Sequence, residues 1–397
     1  MKQTRSVSRS IGHLSVLQPL VDSHITVERI RRYVASISSV ASPSTAASFL
    51  RGPILRDLLQ ETNALENDNL HFSLNYEKTG NSIILTGTKN IRKKLWYIAH
   101  LDTVSYLVQS KQQLRYPLVP FCHHMIQNGK RSAIAYRFIP SNSKYEIVAS
   151  GCLESEDFHP FFRPESGDLN LKPGDRIVFS TSYQEDRLTG NFTAHIDNAG
   201  AVAALLAAAP VLAAAKVEAL LAFPDEEEGP PGAGNQMIGR GSTRILNLLP
   251  VPELVVVSDV QQTGGDSPPN TPGGGDGAKL GKGAVLSEFS SLTRGAVTPP
   301  HLYALAVEFV AALQEIGVKV QISNNSYTSR SDDVSVMLKT PNVLLLGFPG
   351  FNRHFDLGEP TANIDDLVNL AKAMVYFSAL PTQLQRMWRQ FEANRDD

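Results

Sequence analysis

The chain holds little cysteine. Only Cys122 and Cys152 occur in 397 residues, with no CxxC pair. A disulfide framework or a cysteine-type zinc knot is therefore not expected, and a reducing compartment, the cytoplasm, is the expected location. No apolar run reads as approaching the roughly 18–20 residues of a membrane span, so no membrane partner is expected. Formal net charge is only −2, too little imbalance for a general polyanion-binding surface, and no nucleic-acid partner is expected. The N-terminus, MKQTRSVSRSIGHLSVLQPL, is basic and contains serine but lacks the continuous apolar core of a secretory signal. Residues 1–24 read as a loose terminal extension, with a transit peptide as the alternative.

What is present is the composition of a soluble globular protein, 42% hydrophobic and 19% charged. The length calls for a large domain plus a second one or an insertion. Four short apolar runs read as strands covered on both faces: Leu95–Ala99, Ala219–Phe223, Leu254–Val257 and Val343–Leu346. Helical stretches alternate with them. Asn198–Ala209 is alanine-rich and is expected to stop at Pro210. Leu302–Glu315 has apolar residues at helical spacing, and Ile364–Phe377 follows a candidate cap, Asn363. This alternation predicts an α/β fold, a mixed and mostly parallel sheet sandwiched by helices. Residues 105–191 differ. They carry YRFI, KYEIVASG and DRIVFSTS separated by turn signals such as Lys172–Asp175, and read as a small β-rich insertion. The catalytic domain is then expected over 25–104 and 192–397.

The stretch LAFPDEEEGP, residues 221–230, places an aspartate and three glutamates directly after an apolar strand. A solvated acidic turn is the bland explanation. The other strands argue for more. LWYIA leads into His100-Leu101-Asp102, LVVV into Ser258-Asp259, and VLLL towards His354, while Asp197 opens the alanine-rich helix. In open α/β sheets ligand chemistry collects beyond the carboxyl ends of the strands. Two histidines and several carboxylates suit zinc, cobalt or manganese. A carboxylate can bridge two such ions about 3.5–4 Å apart, while one of two adjacent glutamates binds metal and its neighbour serves as a base. Each piece is weak alone; their common placement at strand and helix ends is the signal. His195, two residues before Asp197, reads at best as a support behind the ligands, and His123 and His124 as surface residues.

These motifs resemble those of the dinuclear zinc aminopeptidases of the tetrahedral and glutamyl group. Thr79-Gly80-Asn81 is similar to the family's turn before its first catalytic strand, His100-Leu101-Asp102 to its HxD, and Leu171–Phe179 to the end of its inserted β-domain. Asp197-Asn198 resembles its bridging aspartate, and Glu226-Glu227-Glu228-Gly229 its EExG. Ser258-Asp259-Val260, with Thr271-Pro272-Gly273 and Gly281-Lys282-Gly283, resembles its aspartate ligand and following loop. Asn352-Arg353-His354 with Asp366-Leu367 resembles its last ligand and helix. The likeness runs from about residue 70 to the end. HLDTV and PDEEEG are closer to the related carboxypeptidase and aminoacylase group, but the insertion lies before Asp197, as in the aminopeptidases. Ser331-Asp332-Asp333-Val334 is similar to a substrate-cleft stretch.

The resemblance implies two divalent ions, zinc first with cobalt or manganese as alternatives, held by His100, Asp197, Glu227, Asp259 and His354, with Asp197 bridging. It implies Glu226 as general base and Asp102 as the residue that orients His100. The implied activity is hydrolysis of N-terminal residues from peptide substrates by a homo-oligomer. The alternatives are an N-acyl amino acid amidohydrolase or carboxypeptidase on the same core, a non-catalytic binding or assembly member of the fold, and a structural α/β protein with an incidental acidic loop.

Overall fold

The computed structural model describes residues 17–121, 128–229, 238–263, 277–290, 295–323, 332–355 and 357–394. The four apolar runs form four adjacent parallel strands in the order Ala219–Phe223, Leu95–Ile98, Leu254–Val257 and Val343–Phe351. Ser82–Thr86 pairs antiparallel with the first of them, and Thr361–Asn363 antiparallel with the last, so the sheet is mixed around a parallel centre.

Successive residues of each central strand face opposite layers. Leu95 and Tyr97 pack with the helices Val27–Ser38, Ile196–Ala214 and Ile364–Phe377. Trp96 and Ile98 pack on the other face with Ile245 and Leu246 of the helix Arg240–Leu248 and with Val336 of the short helix Asp332–Met337. Each large apolar side chain so buried contributes roughly 1.5–3 kcal/mol. Both faces are covered, which is why the strands are continuous apolar runs rather than alternating ones. Asn363 does cap the helix Ile364–Phe377: its side chain accepts a hydrogen bond from the Asp365 N–H.

Four expectations change. The alanine-rich helix does not stop at Pro210; it runs from Ile196 to Ala214 through the proline. Every residue from Ile196 to Ala213 is buried, and packing on all sides outweighs the roughly 3 kcal/mol that an interior proline costs. This 19-residue helix is also long and apolar enough to cross a membrane, contrary to the reading that no run approaches that length, yet it lies wholly inside the fold as its central core helix. Residues 18–24 are not loose. Gln18–His24 is a helix whose Val21 is buried, and it is tied to the helix Ile364–Phe377 by an Asp22–Lys372 ion pair of 3.1 Å.

The β-rich insertion is a closed six-stranded barrel. Its strands are Ser105–Val108, Tyr116–Pro120, Gly129–Ile139, Lys144–Glu156, His159–Gly167 and Arg176–Phe179. The insertion therefore ends near Phe179 and not at residue 191. Gln184–Asp186 and Asn191–Thr193 pair instead with Thr361–Asn363 in the main sheet. Tyr106, Phe162 and Phe179 fill the barrel core. Phe355, one residue past His354, joins them from the catalytic domain, its ring 4.6 Å from that of Phe179.

Candidate metal centre at the carboxyl edge of the sheet

The strand Leu95–Ile98 delivers His100 and Asp102, and Ala219–Phe223 delivers Asp225 to Glu228. Leu254–Val257 delivers Asp259, and the long strand Val343–Phe351 delivers Arg353 and His354. Asp197 arrives at the head of the core helix, in non-helical backbone that includes a cis Asp197–Asn198 peptide. Asn198 holds this turn in place by donating to the Ser258 carbonyl at 2.8 Å. Gly347 lets the last strand press close: a Cβ there would lie 2.0 Å from the Asp259 carbonyl oxygen.

Asp197 lies between the two histidines. Its Oδ1 is 3.1 Å from His100 Nε2, and its Oδ2 is 3.1 Å from His354 Nε2. Around His100 Nε2 stand Asp259 Oδ2 at 3.7 Å and Glu227 Oε2 at 3.8 Å. Around His354 Nε2 stands Glu228 Oε1 at 3.1 Å. Two ligand groups within metal-binding reach result, His100–Glu227–Asp259 and His100–Asp197–Glu228. His100 Nε2, Asp197 Oδ1 and Asp259 Oδ2 are buried, and although the first two lie 3.1 Å apart, none of the three makes a well-directed hydrogen bond among the described residues. Orphaned buried donors and acceptors that converge on one point are costly unless a cation completes them. Nitrogen and carboxylate oxygen are the donor types of zinc, cobalt and manganese, so the residues present fit such ions.

The electrostatics agree. Burial disfavours an imidazolium at His100, but the carboxylates of Glu227 and Asp259, then Asp102 and Asp197, hold its pKa well above the ordinary range. Burial likewise opposes charge on His354, and the Glu228 carboxylate overrides it, pushing the ring up to about 9. Burial pushes Asp259 and Glu228 up, with Asp197 repelling both. Asp197 is held well below the carboxylate range, against burial, by Arg353, His100 and His354. Without divalent ions, protons and one guanidinium supply the positive charge that four clustered carboxylates demand.

The three consecutive glutamates occupy three different settings. Glu227 and Glu228 turn into the cluster. Glu226 does not: its Oε1 accepts from Arg244 Nη1 at 2.6 Å, and Arg240 stands 3.9 Å away. Its backbone is left-handed, φ 61°, and this kink turns its side chain away from the other two. The structure thus brings His100, Asp197, Glu227, Asp259 and His354 together with Glu228, and sets Glu226 apart.

Asp102 does more than face His100. His100 Nδ1 lies 3.1 Å from the Asp102 carbonyl and 3.5 Å from its carboxylate. That carboxylate also accepts from Ser44 Oγ at 2.6 Å and from the Glu227 and Glu228 N–H groups at 3.0 and 3.1 Å. It therefore pins the acidic turn against the first histidine. Asp225 is a second pin. Its side chain accepts from the Thr45, Ala47 and Glu226 N–H groups, and Asn81 Oδ1 accepts from its own N–H. The turn at Thr79–Asn81 thereby gains a role, whereas the segment Ser42–Ala47 carries no motif that reveals one. His195 is buried beside Phe355, with ring centroids 5.3 Å apart, and contacts the barrel end rather than the cluster. Thr271-Pro272-Gly273, His123, His124 and Ser331 lie outside the described residues; burial, and after it the charge on Glu227, pushes the carboxyls of Asp332 and Asp333 up.

Several solved structures share this fold. An aminopeptidase from the archaeon Desulfurococcus kamchatkensis aligns over 91% of this chain and 98% of its own at TM-score 0.68 and 15% identity. A TET aminopeptidase from a marine-sediment Thaumarchaeota archaeon aligns over 88% and 96% at 0.66 and 13%. The TET1 peptidase of Pyrococcus horikoshii, described as able to assemble into a tetrahedron or a large octahedral shell, aligns over 89% and 98% at 0.64 and 16%. Among curated protein sequences none matches. The profile of peptidase family M20/M25/M40 matches residues 179–379, just over half of the chain. That span begins where the barrel ends and contains Asp197, the three glutamates, Asp259 and His354. A peptidase profile thus falls on the residues that the sheet gathers at its carboxyl edge, and the chain belongs to peptidase family M20/M25/M40 and is a peptide hydrolase.

Proposed function

We propose that the chain is a metal-dependent aminopeptidase with a dinuclear centre, and that the acidic turn works one residue later than the motif suggests. The observation that carries the reading is the Asp197 carboxylate between two histidines, one oxygen 3.1 Å from each. His100, Asp259 and Asp197 Oδ1 would hold one divalent cation; His354, Glu228 and Asp197 Oδ2 would hold the other. Zinc is the first choice, with cobalt or manganese as alternatives. Bound there, the cations would supply Lewis acidity towards the scissile carbonyl and lower the pKa of the attacking water. Glu227 would be the general base, in place of Glu226. It stands 3.8 Å from His100 Nε2, on the same side as the ligands. It would take a proton from the water and pass it to the leaving amine. Asp102 holds Glu227 and Glu228 by their N–H groups and so fixes the distance between base and ligand. Self-assembly is part of the proposal, supported by the assemblies described for the structural relatives.

The test is mass spectrometry of short peptides, with free and with acetylated N-termini, incubated with the zinc- or cobalt-loaded protein. Stepwise loss of residues from free N-termini alone is the expected result. Deacetylation or C-terminal trimming would move the chain to the amidohydrolase or carboxypeptidase reading. Light scattering on the same preparation reads the assembly.

A further inference from the structure

The two halves of the cluster are not equivalent. In the half around His100, the buried atoms His100 Nε2, Asp197 Oδ1 and Asp259 Oδ2 face one another at 3.1–3.7 Å without a well-directed hydrogen bond. In the half around His354, Asp197 Oδ2 meets two nitrogens, His354 Nε2 at 3.1 Å and Arg353 Nη1 at 3.2 Å. The two side chains come from consecutive residues at the end of one strand, and the Arg353 side chain is mostly buried, 11% exposed.

A histidine can surrender its proton and turn a lone pair to a metal. A guanidinium cannot; it keeps its charge and offers no lone pair. We infer that Arg353 is a positioning residue that sets the two halves apart: its guanidinium stands on Asp197 Oδ2, competes there with a divalent cation, and makes the Glu228–His354 half bind metal more weakly than the His100–Asp259 half. The inference rests on the dinuclear reading above. Filling the weaker half requires Arg353 to yield this oxygen and to remain beside a second positive charge in a buried setting, where repulsion is poorly screened. The stronger half bears less of this cost, because the 3.2 Å guanidinium contact falls on Asp197 Oδ2, the oxygen of the other half, while His100 Nε2, Asp197 Oδ1 and Asp259 Oδ2 lie buried around one point.

The experiment titrates the metal-free full-length protein with Zn²⁺ alone by calorimetry, and with Co²⁺ by visible absorption. The wild type is expected to show one tight and one weak site. Arg353→Met should tighten the weak site by about tenfold or more and move the tight site less. Arg353→Lys, which keeps the charge, should leave the weak site weak. Circular dichroism of the metal-free variants checks folding; if Arg353→Met does not fold, Arg353→Gln replaces it with the same expectation. A weak site that is unchanged or weaker in the neutral variant would overturn the inference, as would two equal sites in the wild type. A wild type that binds no divalent cation would overturn the dinuclear reading itself, so the two failures are distinguishable.

Discussion

The carboxyl edge of the main sheet and the inserted barrel solve opposite problems with neighbouring parts of one chain. The sheet edge collects like charges that repel: Asp197, Glu227, Glu228 and Asp259 crowd two histidines and one arginine. The barrel closes on an apolar core of Tyr106, Phe162 and Phe179 and pairs charges of opposite sign, as where Arg137 meets Asp168 and the buried Asp175 at 2.7 Å each. One region concentrates like charge and the other is organised around an apolar core. They meet at Phe355, which enters the barrel core one residue after the last histidine, its carbonyl accepting from Arg131 Nε at 2.8 Å. The last histidine at the sheet edge is thus anchored through its neighbour in the barrel core.

The sharpest way to break this contrast is to remove the shared carboxylate. On the proposed dinuclear reading, Asp197→Ala should abolish binding of both cations, read by metal analysis after dialysis, and activity should fall to background. Next in size is the proposed base. Glu227→Gln should lower turnover about 10²–10⁴-fold while metal content stays at the wild-type level. Glu226→Gln, which only loosens Arg244, should stay within about tenfold of wild type. The reverse ranking of the two glutamines would return the base to Glu226.

The barrel variants are expected to act on stability. Phe162→Ala and Phe355→Ala should each cost about 3–5 kcal/mol of stability, read from urea melts of the metal-free protein. Only Phe355→Ala should also weaken metal binding, because only Phe355 is joined to His354. Equal effects of both variants on metal affinity would show that the barrel matters to the site as a whole rather than through one contact.

The frame of this comparison was legible in the sequence because its signals are local. Four apolar runs became four adjacent parallel strands, and the residue following each landed at one edge. The triple glutamate was not legible in the same way. Three identical residues in a row give pattern reasoning no means to choose a register. The choice is made in space, by Arg244, which is 18 positions from Glu226 in the chain, and by Asp102, which holds the next two backbone N–H groups. Pro210 misled for a related reason: its helix-stopping tendency is a local preference, and burial on every side overrode it. The Ser42–Ala47 segment was invisible because most of its contribution is made by backbone N–H and carbonyl groups, which no residue type announces.

The smallest expected effect tests whether the contrast extends to pH. Asp366 lies on the catalytic body at the head of the helix Ile364–Phe377, where its carboxylate accepts from the Gly281 and Gly283 N–H groups at 2.8 and 2.5 Å. Burial, with Asp365 adding repulsion and the two N–H groups and Lys319 opposing, brings its pKa up to about 7. A raised folded-state value means that its contribution is fully present below the ordinary 3.8 and is lost as pH rises to about 7. On the barrel, Asp168 is held below its ordinary value by the Arg137 hydrogen bond and then by the Asn170 N–H, so its contribution is present above 3.8 and is lost as pH falls. The two carboxylates therefore tilt the stability curve in opposite directions. In urea melts between about pH 4 and 7, Asp366→Asn should flatten a decline with rising pH, whereas Asp168→Asn should leave that window unchanged and alter only the acid limb. An unchanged slope in Asp366→Asn would place the pH sensitivity of the catalytic body in the metal cluster instead of in the loop that Asp366 holds.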